Sequence, residues 1–215
     1  MFTEVYGETN IIGWVQYLER EVKAERPEAY SELALERMHA ANACTDDEAR
    51  KAALTAEIVS LARRGGELGD LMAMDLLARM GGVIGETNAV AWARTAVETG
   101  FATASTHRAL ARAYRRGTGG LAVNARKALE LLFHAALELG DAEAQFELAQ
   151  CFRQGDVPGG KKNLEVALEL YESAARQGLL PARKVLEELT RPDNAEENAT
   201  GEGQEREKKH GKVHP

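Results

Sequence analysis

Apolar side chains recur every three or four positions along nearly the whole chain between residues 10 and 189. Because an α-helix turns once every 3.6 residues, this spacing gathers the apolar side chains on one face of a helix. No segment alternates between apolar and polar residues with the period of two that marks a half-buried β-strand. The pattern therefore predicts an all-α fold.

Three helices are predicted before residue 65. The second begins at Pro27, since proline is tolerated in the first turn of a helix, where its missing N–H has no partner to lose. The third begins at the capping box Thr45-Asp46-Asp47-Glu48 and runs to about Arg64. In the first helix we expect Trp14 and Tyr17 to be core contacts, whereas an exposed Trp14 would indicate a docking edge. The apolar stripe of this helix comprises Ile11, Ile12, Trp14, Val15, Leu18 and Val22.

Beyond Arg64 the sequence repeats itself. Four glycines, spaced by 31, 40 and 38 residues, are each followed four positions later by an alanine. They are Gly69, Gly100, Gly140 and Gly178, followed by Ala73, Ala104, Ala144 and Ala182. The two best units align residues 110–117 with 148–155 and residues 128–136 with 167–175. This periodicity predicts stacked helix pairs, since a single pair cannot cover its own apolar face.

The two best units resemble the Sel1-like repeat, an α/α repeat related to the tetratricopeptide repeat. The first unit matches its pattern at Tyr114, Gly117, Gly119, Leu121, Asn124, Lys127, Ala128, Ala135, Ala136 and Gly140. The second matches at Ala144, Leu148, Ala149, Phe152, Gly155, Val157, Asn163, Ala167, Tyr171, Ala174, Ala175 and Gly178. The earlier unit, from Gly69 to Gly100, is degenerate, with Gly81 in place of the aromatic residue.

This resemblance implies a superhelical solenoid of helix–turn–helix repeats. It also implies an adaptor or scaffold that binds other proteins, and it brings no catalytic residues with it. Within this frame we expect three regions: an N-terminal helical cap at 1–64, a repeat array at 65–190 and a disordered tail at 191–215. Residues 1–60 carry twelve acidic and six basic side chains, whereas the tail has almost no apolar residues.

Composition and charge limit the function further. A net charge of −7 disfavours a general nucleic-acid binder, because phosphate contacts dominate that affinity. The first ten residues include Glu4 and Glu8 and no basic residue, unlike a secretory signal. No stretch approaches the ~20 apolar residues that span a bilayer. We therefore expect a cytoplasmic protein without membrane contact.

Motifs for catalysis and for metal or cofactor binding are missing from the sequence. Cys44 and Cys151 fit neither a disulfide framework nor a metal site, and the histidines have no ligand spacing. The glycine clusters at 117–120 and 159–160 lack the strand and the serine or threonine of a phosphate-binding loop. We therefore expect that the protein is not an enzyme and that it binds neither a cofactor nor a metal ion.

One basic segment stands out in this acidic chain. Between Glu98 and Glu130 there is no acidic residue, and Arg108, Arg112 and Arg115 fall on one side of a helix. In related helical arrays the first helix of each pair lines the concave face, so these arginines could receive an acidic partner segment. Alternatively they form a solvated face that pairs with acids of neighbouring helices, including the N-terminal cap.

The repeat register extends this candidate site to other helices. Arg112 shares its column with Arg79 and Gln150, and Arg115 shares its column with Arg153. The candidate protein-binding residues are Arg79, Arg108, Arg112, Arg115, Gln150 and Arg153. We expect a cytoplasmic adaptor that holds a partner protein, with a regulator, a chaperone or a toxin inhibitor as special cases. The alternative is a nucleic-acid-associated regulator that uses the same arginines on phosphate.

Overall fold

The computed structural model of the 215-residue chain describes residues 2–157 and 159–190, with side chains from residue 12 onward. The helices in these ranges are α1 (Phe2–Lys23), α2 (Pro27–Ala43), α3 (Glu48–Glu67), α4 (Leu71–Arg79), α5 (Gly81–Ile84), α6 (Glu86–Glu98), α7 (Ala104–Arg116), α8 (Ala125–Phe133), α9 (Ala142–Gln154), α10 (Leu164–Arg176) and α11 (Leu180–Leu189). A π-helical turn, His134–Glu138, follows α8. These ranges contain no strand, which confirms the all-α class. The predicted disordered tail lies outside them, as does the Ile11 side chain.

The chain divides into two compact units, residues 1–131 and residues 132–215. In the first unit α2 packs against α3, α3 against α4, α4 against α6, and α6 against α7. In the second, α9 packs against α10 and α10 against α11. Helices that follow one another along the chain therefore pack as helix–turn–helix pairs. The separate prediction of a cap that ends at residue 64 stays a prediction.

Six of the described helices, α3, α4, α7, α8, α9 and α10, begin where a side-chain oxygen accepts a hydrogen bond from one of the first backbone N–H groups. Asn124 Oδ1 accepts from the N–H of Lys127 at 3.0 Å, and Asn163 Oδ1 accepts from the N–H of Val166 at 3.1 Å. The predicted capping box does not form, because Asp47 and not Thr45 caps α3, which starts at Glu48. The first helices of the successive pairs, α4, α7 and α9, are capped by Asp70, Thr103 and Asp141.

Asp70 also joins two helices that are distant in sequence. Its Oδ1 accepts hydrogen bonds from the N–H groups of Met72 and Ala73 at the start of α4. Its Oδ2 accepts a hydrogen bond of 3.0 Å from the N–H of Ser31 in α2. The carboxylate is 6% exposed, so α2 and α4 share one buried acceptor.

Helix α3 extends three residues beyond the predicted end at Arg64, through two buried glycines. A Cβ on Gly65 would lie 2.7 Å from the Cβ of Tyr30, and one on Gly66 would lie 3.0 Å from the ring of Trp92. The glycines therefore permit close helix packing here instead of ending the helix. By contrast, α7 ends at Gly117 as glycine-terminated helices usually do, with a left-handed φ of 69°.

The prediction that Trp14 and Tyr17 are core contacts is wrong. Their side chains are 43% and 46% exposed, and their rings stack on each other with centroids 5.4 Å apart. The core between α1 and α2 is formed by Leu18, Ala29 and Leu33, with Val15 and Val22 packed against it. The aromatic pair thus lies along the edge of the helix stripe that faces α2.

An ion-pair network holds the first three helices together. Arg37 of α2 donates to Glu57 Oε1 of α3 at 2.8 Å and to Glu19 Oε1 of α1 at 2.7 Å. The hydrogen bond to Glu57 raises the pKa of Arg37, and Glu19 adds to this effect. At least two acids of the N-terminal helices are therefore engaged within those helices.

Candidate protein-binding site

Helix α7 carries four arginines, of which Arg108, Arg112 and Arg115 belong to the predicted site and range from buried to exposed. Arg108 is only 8% exposed, because it shares a buried stretch with Thr106, His107 and Leu110. Arg112 is half-buried and Arg115 is exposed. Of these three predicted arginines, Arg112 and Arg115 are therefore the accessible ones.

A buried carboxylate fixes α7 against α4. Asp75 is 3% exposed, and its Oδ1 accepts hydrogen bonds from the N–H and the hydroxyl of Thr103, both at 2.9 Å. The same oxygen accepts a bond of 2.6 Å from the hydroxyl of Thr106. Its Oδ2 lies 3.1 Å from Nε of Arg79. The sequence-based prediction missed this joint, although a single acid inside the apolar run of residues 71–78 was a signal for it.

A cleft of about 250 Å³ opens beside this joint, among α4, α5, α6 and α7. Its apolar floor comprises Ala78, Ala89, Val90, Ala93, Ala109, Leu110 and Ala113. Charged residues at the same cleft are Arg79, Arg112, Arg116 and Glu86. The structure thus brings together Arg79 and Arg112, which the repeat register places in one column, and adds Arg116, which the predicted set omits.

The two remaining predicted residues, Gln150 and Arg153, lie on α9 in the second unit and are both half-buried. In this unit a neighbouring glutamine, Gln145, is structural. Its Nε2 donates to the carbonyl of Ala136 in the π-helical turn at 3.1 Å, and its Oε1 accepts from Gln177 at 2.9 Å. Polar side chains of α9 therefore serve the packing of their own unit as well as its surface.

Tyr171 of α10 is fully buried in the second unit. Its ring lies 5.5 Å from that of Phe146, and its hydroxyl has no hydrogen-bond partner within the described ranges. Burial raises the pKa of Tyr171, and the positive charge of Arg153 opposes this shift.

Among the described residues, no cluster of three or more His, Cys, Asp or Glu side chains could hold a metal ion. Within the same residues, no helix combines the length and the apolar character that crossing a membrane requires. Cys151 is buried and Cys44 half-buried.

Comparison with known proteins gives two matches to one repeat type. Residues 104–141 and 142–179 each match the family model of the Sel1 repeat. The crystal structure of a Sel1 repeat protein from Oxalobacter formigenes is similar to this chain, with a TM-score of 0.65 and 22% sequence identity. The similarity covers 82% of this chain and 67% of that one. No curated protein matches the sequence. The resemblance noted in the sequence is thereby confirmed.

Proposed function

We propose that this chain, which contains two Sel1 repeats, is a cytoplasmic adaptor that binds an acidic segment of a partner protein at the α4–α7 cleft. Sel1 repeat proteins generally mediate protein–protein interactions. The observation that carries the proposal is the placement of Arg79, Arg112 and Arg116 around an apolar floor in a chain of net charge −7.

The two parts of the cleft have different roles in this proposal. The apolar floor favours burial of a partner side chain, since each buried methylene contributes about 0.8 kcal/mol. The guanidinium groups select carboxylates, which they bind in a planar, bidentate geometry. Asp75 compensates part of the Arg79 charge, and Arg112 and Arg116 add further positive charge at the same cleft.

The other predicted residues keep secondary roles in the proposal. Arg115 extends the basic surface along α7, whereas the buried Arg108 supports the helix that presents it. Gln150 and Arg153 remain candidates for contacts made by the second unit. The chain is proposed to bind without a catalytic step.

Charge reversal tests the proposed surface. We expect Arg112→Glu combined with Arg116→Glu to weaken binding of a labelled acidic peptide, Asp-Glu-Phe-Glu-Asp, by at least about tenfold. Fluorescence anisotropy measures the affinity, and circular dichroism checks that helicity is unchanged. The matched control is Arg63→Glu with Arg94→Glu, which changes the net charge equally at two exposed arginines that do not line the cleft. Equal losses in both variants would mean that net charge, and not this cleft, governs binding.

The same pair of variants separates protein binding from nucleic-acid binding. We expect no retardation of duplex DNA or RNA even at low salt, because the chain is acidic overall and Glu86 lies at the cleft. If the wild type retards nucleic acid and the variant with Arg112→Glu and Arg116→Glu does not, the cleft binds phosphate groups instead.

A further inference from the structure

Resting on the proposed function, we infer that the cleft accepts one aromatic side chain of the acidic partner segment. This side chain would take the place of an aromatic residue that the repeat pattern requires and this part of the chain lacks. Gly81 lines the cleft and occupies the position at which the two Sel1 repeats carry Tyr114 and Phe152. The cleft therefore lies where a repeat aromatic is missing.

In the complete repeats this aromatic residue covers small side chains. Tyr114 packs against a buried cluster of alanines and aliphatic residues, and the ring of Phe152 meets another phenylalanine ring edge-on, with centroids 6.0 Å apart. A Cβ on Gly81 would lie 3.5 Å from the Cβ of Ala89, in ordinary contact. A side chain at this position would thus start over α6, next to Ala89, which lines the cleft.

The size and charge of the cleft specify its occupant. At about 250 Å³ it is smaller than the pockets of about 300–1,000 Å³ that hold drug-sized ligands. An α-helix with its side chains is about 10–12 Å across, so a cleft of this size receives a side chain and not a helix. Arg112 and Arg116 at its margin bind the neighbouring acids, and a guanidinium also stacks favourably on an aromatic face.

Restoring the missing ring within the chain tests this inference. We expect Gly81→Phe to fill the cleft and to weaken binding of Asp-Glu-Phe-Glu-Asp by at least about tenfold, with the arginines unchanged. Gly81→Ala is the matched control, since it adds a Cβ without a ring and should keep wild-type affinity. Wild-type affinity in a folded Gly81→Phe variant would overturn the inference.

A pair of peptides tests the same inference on the wild-type chain. We expect Asp-Glu-Phe-Glu-Asp to bind at least about tenfold more tightly than Asp-Glu-Ala-Glu-Asp. The two peptides could instead bind equally well, with both affinities reduced by Arg112→Glu and Arg116→Glu. That result would overturn the aromatic anchor and leave the acidic-segment proposal standing. Binding of neither peptide would overturn both.

A second variant keeps the test decisive if Gly81→Phe fails to fold. A Cβ on Gly82, which also lines the cleft, meets no atom within 4 Å. We expect Gly82→Leu to occupy the cleft without strain and to reduce the affinity for the phenylalanine peptide. Unchanged affinity in that variant would also contradict the inference.

Discussion

Helices α4 and α7 of the first unit and helices α9 and α10 of the second are joined by different chemistry. The α4–α7 joint is polar, with the buried Asp75 accepting three hydrogen bonds from Thr103 and Thr106. The α9–α10 joint is apolar, with Leu148 and Tyr171 fully buried and a ring contact between Phe146 and Tyr171.

The two regions also differ in the aromatic residues that they carry. The pair formed by α9 and α10 has Phe152, whose ring contacts Phe133 of α8, and Tyr171, whose ring contacts Phe146 of α9. The pair formed by α4 and α6 has Gly81 at the position of Phe152. This pair keeps an apolar core that includes Leu76, Leu77 and Ala89, while the hydrogen bonds of Asp75 join α4 to α7.

Removing the buried carboxylate should break the polar joint. We expect Asp75→Ala to lower the free energy of unfolding by about 4 kcal/mol, because it leaves several donors without their charged acceptor. Urea titration followed by circular dichroism measures the loss. The control is Glu172→Ala on the exposed face of α10, with an expected change below about 0.5 kcal/mol. A change of that small size for Asp75→Ala would show that the joint contributes little.

Truncating a core leucine should weaken the apolar joint somewhat less. Leu148 is completely buried, so Leu148→Ala should cost about 3 kcal/mol through lost burial and the cavity that remains. The same urea titration reports this cost. Leu180→Ala, at a leucine that is 64% exposed, serves as the control and should change stability little. Comparable effects of the two leucine variants would contradict a close-packed joint.

The smallest effect is expected at the Tyr171 hydroxyl. Tyr171→Phe removes a buried hydroxyl that has no described partner, so it should be neutral or stabilise the protein by up to about 1 kcal/mol. Because burial raises the pKa of Tyr171 above the unfolded value of about 10, its proton stabilises the folded chain fully below pH 10. That stabilisation is lost as the pH rises through the folded pKa.

Urea titrations at about pH 8 and about pH 10.5 check this dependence. The advantage of Tyr171→Phe over the wild type should grow at the higher pH, whereas Tyr17→Phe, at a half-exposed ring, provides the reference. An equal pH dependence in the wild type and Tyr171→Phe would exclude an energetic role for the buried hydroxyl.

Sequence reasoning predicted those parts of the fold that depend on local spacing. The all-α class, the repeat period and the start of α2 at Pro27 each follow from the spacing of a few neighbouring residues. The continuation of α3 through Gly65 and Gly66 could not be predicted in this way. A glycine pair usually weakens a helix, and here the approach of Tyr30 and of the distant Trp92 decides the outcome.

The repeat register predicted which residues of the candidate site share a column, but it did not predict how deeply each side chain is buried. Arg79 and Arg112, which share a repeat column, both line one cleft, whereas Gln150 of the same column lies in the second unit. The burial of Arg108 and the exposure of Trp14 depend on which neighbouring helix covers each face, and periodicity does not specify that neighbour. Gly81 lines the cleft, and its lack of a side chain becomes informative only when the surrounding helices are in place.

The acceptor shared by α2 and α4 couples local stability across the first unit. One oxygen of Asp70 accepts a hydrogen bond from α2, and the other accepts from the start of α4. If either helix opens, the buried carboxylate loses part of its hydrogen bonding while it is still bonded to the remaining helix. The first turns of both helices therefore open together, and their amide protons exchange with solvent at a common rate set by one subglobal unfolding event. In this way a single carboxylate is expected to couple the first turns of residues 27–43 and 71–79, which hydrogen exchange can measure.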